Sequence, residues 1–247
     1  MAEQEELPTL EGNLPSLPAT LLSLLDIPIP SNIPDPIQPI VDLFKGRGIN
    51  RIVLNVLDNF GLFETTYYKP EFLISKSNAL LLLATQNPYT LGVFHQLFYG
   101  GFDKDCGFHL LKHINENDKS SILVGRQKDI ERYDEGTPSI PKSDDMKTWI
   151  EAAKVINRYS LSILHYLDFE ELYQTGRGQR NTPEELIQKL IKRSDKWFLS
   201  NFKQLRSKSL MIVLGNHGRY QIDMEYQGKV AEWRAASVPL AIFLYKP

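Results

Sequence analysis

Residues 51–61 read Arg51-Ile52-Val53-Leu54-Asn55-Val56-Leu57-Asp58-Asn59-Phe60-Gly61, an apolar run that ends abruptly in a carboxylate, an amide and a glycine. A run of this length bounded by turn residues predicts a sheet strand covered on both faces. In open α/β sheets, side chains just beyond the carboxyl ends of strands converge on a crevice outside the packed core. Asp58 stands at such an end.

The same pattern recurs along the chain. Strands are predicted at Leu80–Ala84, Ser121–Val124, Leu161–Leu167, Leu210–Leu214 and Val238–Leu244, most of them continuous apolar runs. Ala79–Ala84 has the length of a buried strand. Between these runs lie longer amphipathic stretches, which predict helices at Leu91–Tyr99, Asp145–Arg158 and Pro183–Leu205. The last carries the fullest set of signals: Thr182 as N-cap, Pro183 in the first turn, Glu184 and Glu185 at the positive helix end, and an apolar stripe of Leu186, Leu190, Trp197 and Leu205. Alternating short strands and longer helices predict an α/β domain over residues 49–247. Residues 1–48 predict a proline-rich segment wrapping that domain, because eight of the fifteen prolines lie before residue 41 and interrupt any long helix. Short helices fit between those prolines at Ala19–Leu25 and Ile37–Phe44.

Composition excludes several classes of partner. With 28 basic and 30 acidic residues, nothing draws the chain to nucleic acid or to an anionic membrane surface. No apolar run approaches the roughly 20 residues that span a bilayer. The acidic start, Glu3-Gln4-Glu5-Glu6, is unlike a secretory signal, and Cys106 is the single cysteine. A chain without disulfides or CxxC motifs fits a reducing compartment, so the expected location is cytoplasmic.

Three predicted strand ends carry groups able to ligate a cation: Asp58, then Asp168 after Leu161–Leu167, then Asn216-His217 after Leu210–Leu214. Carboxylate oxygen and imidazole nitrogen from separate elements are the usual ligands of zinc, manganese or iron. Each residue alone also fits a plainer role, since Asp at a strand end caps turns and Asn-His-Gly is a turn sequence. Thr90, in Asn87-Pro88-Tyr89-Thr90, stands at the start of a predicted helix. There a hydroxyl beside free N–H groups is either an N-cap or a nucleophile toward a phosphoryl group. His109 and His113, four apart without the HExxH glutamate, carry little metal signal, and Asp144-Asp145 reads as a helix cap.

In this order the motifs resemble the alkaline phosphatase superfamily, especially its nucleotide pyrophosphatase/phosphodiesterase and cofactor-independent phosphoglycerate mutase branches. Asp58-Asn59-Phe60-Gly61 resembles the opening metal-aspartate motif. Asn87-Pro88-Tyr89-Thr90, continuing through His95 to Gly100-Gly101 and Gly107-Phe108, resembles the nucleophile motif. Leu164–Asp168 resembles the strand of the D-x-x-x-H metal motif, followed by the Gly-rich Gly176-Arg177-Gly178 and a helix with a central aspartate, Asp195. Gly215-Asn216-His217-Gly218 resembles the closing D-H-G, and Val238-Pro239 the final strand. The resemblance implies a three-layer sandwich with a mostly parallel central sheet. It implies Thr90 as nucleophile, Asp58, Asp168, Asn216 and His217 as metal ligands for zinc or manganese, and a phosphorylated small molecule as substrate.

The departures are as informative. Leu172 stands where D-x-x-x-H has histidine, Trp233 and Arg234 occupy the region of a late histidine, Asn216 replaces an aspartate, and Cys106 replaces a histidine. One half-site is therefore expected at Asp58, Thr90, Asn216 and His217, beside a second reduced to Asp168. Arg234 or Lys229 are candidates to hold phosphate oxygens in place of the second metal, and Arg177-Gly178-Gln179-Arg180 is either a solvated basic loop or a substrate clamp over the Asp168 site. Two functions follow: a one-metal phosphoester or phosphodiester hydrolase, or a catalytically inactive relative that binds a ligand or a protein partner.

Overall fold

The computed structural model describes residues 12–175, 184–218 and 236–246. Eight strands form one sheet: β1 (Gly12–Asn13), β2 (Arg51–Leu57), β3 (Ala79–Ala84), β4 (Ser121–Gly125), β5 (Ser139–Pro141), β6 (Leu161–Tyr166), β7 (Ser209–Gly215) and β8 (Ser237–Leu244). Their order is β1-β3-β8-β7-β2-β6-β4-β5, and every pairing is parallel except those of β8, which runs antiparallel between β3 and β7. The central register pairs Leu57 with Tyr166 on one side and with Gly215 on the other, so β2, β6 and β7 end level with one another.

The helices are α1 (Leu17–Leu24), α2 (Gln38–Phe44), α3 (Leu62–Tyr68), α4 (Glu71–Lys76), α5 (Thr90–Tyr99), α6 (Leu110–Glu116), α7 (Gln127–Tyr133), α8 (Asp145–Val155), α9 (Asp168–Thr175) and α10 (Glu184–Lys203). They divide between the two faces of the sheet. Strand residues alternate accordingly: Ile52, Leu54 and Val56 enter one core with α1, α2, α5 and α6, while Val53 and Leu57 enter the other with α4, α8 and α10. A strand with apolar residues at both parities needs cover on both sides, which two helical layers supply. The fold is the expected three-layer α/β sandwich with a mostly parallel sheet.

Residues 12–48 are built into this core. β1 lengthens the sheet beside β3, and Leu17, Leu21 and Leu22 of α1 are fully buried. Thr20 ties the two short helices together, donating to the Ser16 carbonyl at 2.7 Å and accepting the Ile37 N–H at 2.9 Å. β3 departs from expectation. Among the described residues it is covered on one face, with Leu80 44% and Leu82 39% exposed on the other. Four helices that lack a long apolar stripe, α3, α4, α7 and α9, are not legible as helices from periodicity, while α6 forms where His109 and His113, four apart, suggest a helix. No helix among the described residues is long and apolar enough to cross a membrane.

Candidate active site

The carboxyl ends of β2 and β7 deliver two turns that touch. Asn59 adopts a left-handed conformation (φ 56°), which asparagine tolerates better than other side chains, and this bends the chain across the end of β7. Gly215 is required there, because a Cβ would lie 2.0 Å from the Phe60 carbonyl oxygen. Gly61 meets Gly218 in the same way, a Cβ on Gly61 falling 2.4 Å from the Gly218 Cα. The contact sets Asp58 against Asn216 and His217.

Asp58 is buried, and its carboxylate is surrounded by donors. The Asn216 amide N–H donates to Oδ1 at 2.9 Å, and the Thr90 hydroxyl lies 3.0 and 3.1 Å from the two oxygens. His217 Nε2 stands 2.9 Å from Oδ1 and 3.1 Å from Thr90 Oγ1. The His217 ring is oriented by its Nδ1–H, which donates to the Gly218 carbonyl at 3.0 Å. Burial alone would raise the Asp58 pKa, but the imidazoles of His165 and His217 outweigh it and hold the carboxyl well below the usual range. Burial likewise would lower the His217 pKa, and the adjacent Asp58 raises it instead.

Beneath this group lies His165, on β6 and fully buried. Its Nδ1 is 2.9 Å from Asp129 of α7 and its Nε2 is 3.6 Å from Asp58. Although burial opposes protonation, the two flanking carboxylates push its pKa up to about 9. Phe94 of α5 packs edge-on against the ring at 4.6 Å.

Glu170, on the first turn of α9, completes the cluster. Its Oε2 accepts the Asn59 side-chain N–H at 2.6 Å, and Asp58, Glu170 and His217 each offer a ligand atom with all three atoms within 4.8 Å of one another. α9 is held to the β2 exit by Glu64, whose two oxygens accept the Gly61 N–H and the Tyr173 hydroxyl, each at 3.0 Å. No sequence signal marks Glu170, which lies in the acidic run Asp168-Phe169-Glu170-Glu171 at a helix start, two residues after the strand-end Asp168.

Asp168 is not one of the three. It pairs with Arg193 and lies 3.8 Å from Arg126, which also meets Asp145 at 3.2 Å and Glu171 at 2.8 Å. Asp145 in turn accepts the N–H groups of Leu167 and Asp168 at 3.0 and 2.8 Å, fixing the start of α9. Asn216 joins the cluster by the opposite end from that expected of a ligand. Its amide oxygen accepts the Asn59 N–H at 3.1 Å, so the NH2 group faces Asp58.

Of the other residues singled out, Asp144 caps α8, accepting the Lys147 N–H at 2.8 Å. Asp195 accepts the N–H groups of Phe72 and Leu73 at 2.8 and 3.1 Å and so caps α4. His113 donates to the Pro28 carbonyl at 2.9 Å, and His109 Nδ1 accepts from the Lys112 N–H at the start of α6. Arg177, Lys229, Trp233 and Arg234 lie outside the described residues, as do Thr182 and Pro183.

Solved structures share this three-layer α/β architecture. The C-terminal periplasmic domain of EcEptC from Escherichia coli, solved with zinc, superposes with a TM-score of 0.56 at 13% identity, covering 80% of this chain and 74% of that one. A protein of the alkaline phosphatase superfamily from Vibrio parahaemolyticus gives 0.57 at 10% identity, covering 94% and 69%. A 2-O GAG sulfatase gives 0.59 at 10% identity, covering 80% and 64%. This chain has an alkaline phosphatase-like fold. No protein-family model and no curated protein matches the sequence.

Proposed function

We propose that the chain is a metal-dependent phosphoester or phosphodiester hydrolase, with Thr90 as nucleophile and one divalent cation, zinc or manganese, held by Asp58, Glu170 and His217. The observation that carries the reading is the meeting of Thr90 Oγ1 with Asp58 at 3.0 Å and His217 Nε2 at 3.1 Å, three residues brought from separate elements to one point. The donor set fits the ion, since two carboxylates and an imidazole grouped within 4.8 Å are ligands suited to zinc or manganese. Zinc in the EcEptC domain and the sulfatase among similar folds support a metal-assisted ester chemistry. When bound, such a cation acidifies a nearby hydroxyl and offsets charge on the reacting ester.

The chain's own residues do the rest. Thr90, first residue of α5, presents its oxygen beside the free N–H groups of a helix start, where phosphate oxygens are favoured. Thr90 Oγ1 passes its proton to the Asp58 carboxylate it faces and forms a bond to phosphorus as the ester's P–O bond breaks, the departing alkoxide taking a proton from water. Water then cleaves the phosphothreonine, restoring the hydroxyl and releasing phosphate from a monoester or the remaining phosphomonoester from a diester. Asn216 positions Asp58 through its NH2, and His165 with Asp129 holds the carboxylate from below.

A second reading, a noncatalytic relative that binds a ligand or protein partner, is favoured by Asp168, whose carboxylate is taken up by Arg193 and Arg126. Mass spectrometry after brief reaction with p-nitrophenyl phosphate and manganese separates the two. A phosphoryl group on Thr90, absent in Thr90→Ala and retained in Thr90→Ser, is the expected result. Protein that binds no manganese or zinc and leaves the ester intact would overturn the hydrolase reading.

A further inference from the structure

The amino edge of the sheet, opposite the candidate active site, carries charge of one sign beneath its central strands. Three loops meet there, each leading from a helix into a strand: residues 45–50 before β2, 156–160 before β6 and 204–208 before β7. Hydrogen bonds stitch them together. The Asn50 N–H donates to the Lys208 carbonyl at 3.0 Å, and the Arg206 N–H donates to the Asn157 side-chain oxygen at 3.1 Å. The Asn157 amide donates to the Gln204 carbonyl at 2.8 Å, and Arg51, opening β2, reaches the Ser207 carbonyl at 3.0 Å. The end of β8 joins them, the Tyr245 N–H donating to the Ser209 carbonyl at 3.1 Å.

Onto this surface the loops bring Lys45, Arg47, Arg158, Arg206 and Lys208, and Lys246 follows β8; all six are exposed. The three loops contain no aspartate or glutamate. The lysine and arginine ion pairs of the described residues all involve other side chains. The carboxylate nearest in sequence to any of the six, Asp42 of α2, accepts the Gln38 side-chain N–H at 2.9 Å. Asp118 lies in the adjoining loop, which meets Ser160 through Ser120, and has Lys119 beside it. Lys208 adopts a left-handed conformation (φ 62°) that glycine or asparagine would enter more readily. Its side chain runs past Gly48, with Nζ 3.8 Å from where a Cβ on Gly48 would stand, so a cation of the β7 loop lies against the β2 loop that holds Arg47.

The balance of 28 basic and 30 acidic residues thus conceals a one-sided field. Six unpaired like charges repel one another, and a broad anionic surface relieves all of them at once. A nucleic acid is gripped by exposed aromatic rings, or by a helix or ribbon laid in a groove, whereas these loops present no exposed ring. The apolar group at the rim is aliphatic: Leu43, two residues before Lys45, is 48% exposed. Cations beside an exposed leucine match a lipid surface, where headgroups meet the charge and acyl chains meet the side chain. We propose that this edge docks the chain on anionic lipid headgroups. β2 begins at Arg51 and delivers Asp58 at its far end, roughly 20 Å away at about 3.3 Å per residue, so docking leaves Thr90, Asp58 and His217 facing solvent. The inference stands apart from the ester chemistry and adds where the chain works.

The test is co-sedimentation of the whole chain with vesicles of phosphatidylcholine alone and of an equal mixture of phosphatidylcholine and phosphatidylserine. Partitioning to the mixed vesicles only is expected, and about 1 M salt, where the Debye length falls to about 3 Å, should abolish it. Arg47→Gln with Arg158→Gln and Arg206→Gln, one from each loop, should weaken partitioning about 100-fold, at roughly fivefold per cation. Lys128→Gln with Lys192→Gln and Lys196→Gln removes the same charge from exposed positions elsewhere and should leave it nearly unchanged. Circular dichroism is expected to show both triple variants melting like the parent. Leu43→Gln should weaken partitioning about threefold or more. Equal sedimentation with the two kinds of vesicle, or equal losses in the two triple variants, overturns the docking surface. Capture of a single-stranded oligonucleotide without any preference for the anionic vesicles assigns the edge to nucleic acid and overturns the lipid reading.

Discussion

Gly215→Ala should damage stability and function together, through one contact. The added Cβ would lie 2.0 Å from the Phe60 carbonyl oxygen and 2.9 Å from Pro239 Cδ, where Cβ atoms essentially never come within 3.0 Å of another atom. The obstacle on one side is backbone, so no side chain can swing away. The β2 and β7 turns must therefore separate by about 1 Å. Overpacking of this kind costs about 1–3 kcal/mol, and the upper part of that range is expected because two backbone segments have to move. The same shift draws Asp58 from His217, and a displacement of about 1 Å in a reacting group costs on the order of 100-fold in rate. Urea denaturation gives the first quantity, and phosphoester turnover with manganese affinity gives the second. Gly101→Ala is the control, since a Cβ there meets nothing within 4 Å. Should Gly215→Ala match Gly101→Ala in both stability and manganese affinity, the touching of the two turns would be refuted, and with it the account of how Asp58 and His217 meet.

Glu170→Gln should weaken manganese binding by about 10- to 100-fold in equilibrium dialysis, with little change in melting temperature, because one charged ligand is lost while the Asn59 contact survives. Thr90→Ala should reduce phosphoester turnover at least about 1,000-fold yet leave metal affinity within a small factor, as measured by steady-state kinetics and dialysis. Asp195→Ala should cost about 1–2 kcal/mol in urea denaturation without altering metal binding, since Asp195 caps α4 and touches no member of the site.

Asp58, Thr90 and His217 were legible because each follows a strand or opens a helix, positions that topology alone sends to one edge of the sheet. Asp168 was legible for the same reason but is drawn off by Arg193 and Arg126, charges distant in sequence whose approach no local pattern reveals. Glu170 sits within Asp168-Phe169-Glu170-Glu171, an acidic run that reads as favourable charge at a helix start, and its turn toward Asp58 depends on Asn59 and on the Glu64–Tyr173 bond. His165 left a clearer trace. A histidine inside the apolar run Leu161–Tyr166, at the same parity as Leu161 and Ile163, has to be buried and so needs a partner, though the sequence does not name Asp129. The order of strands, likewise, follows from crossovers that composition does not encode.

The antiparallel β8 sets a sequence of events during synthesis. Ser237–Leu244 is made after the other seven described strands, yet it lies inside the sheet, joining β3 to β7. Until it emerges, β1-β3 and β7-β2-β6-β4-β5 present two unpaired edges, and edges of that kind invite association with other chains. Thr90 follows β3 on one side of this gap, and Asp58 and His217 follow β2 and β7 on the other. A nascent chain that stops short of residue 237 thus holds Thr90 apart from Asp58 and His217, on two separate pieces of sheet, and this eight-residue strand closes the break.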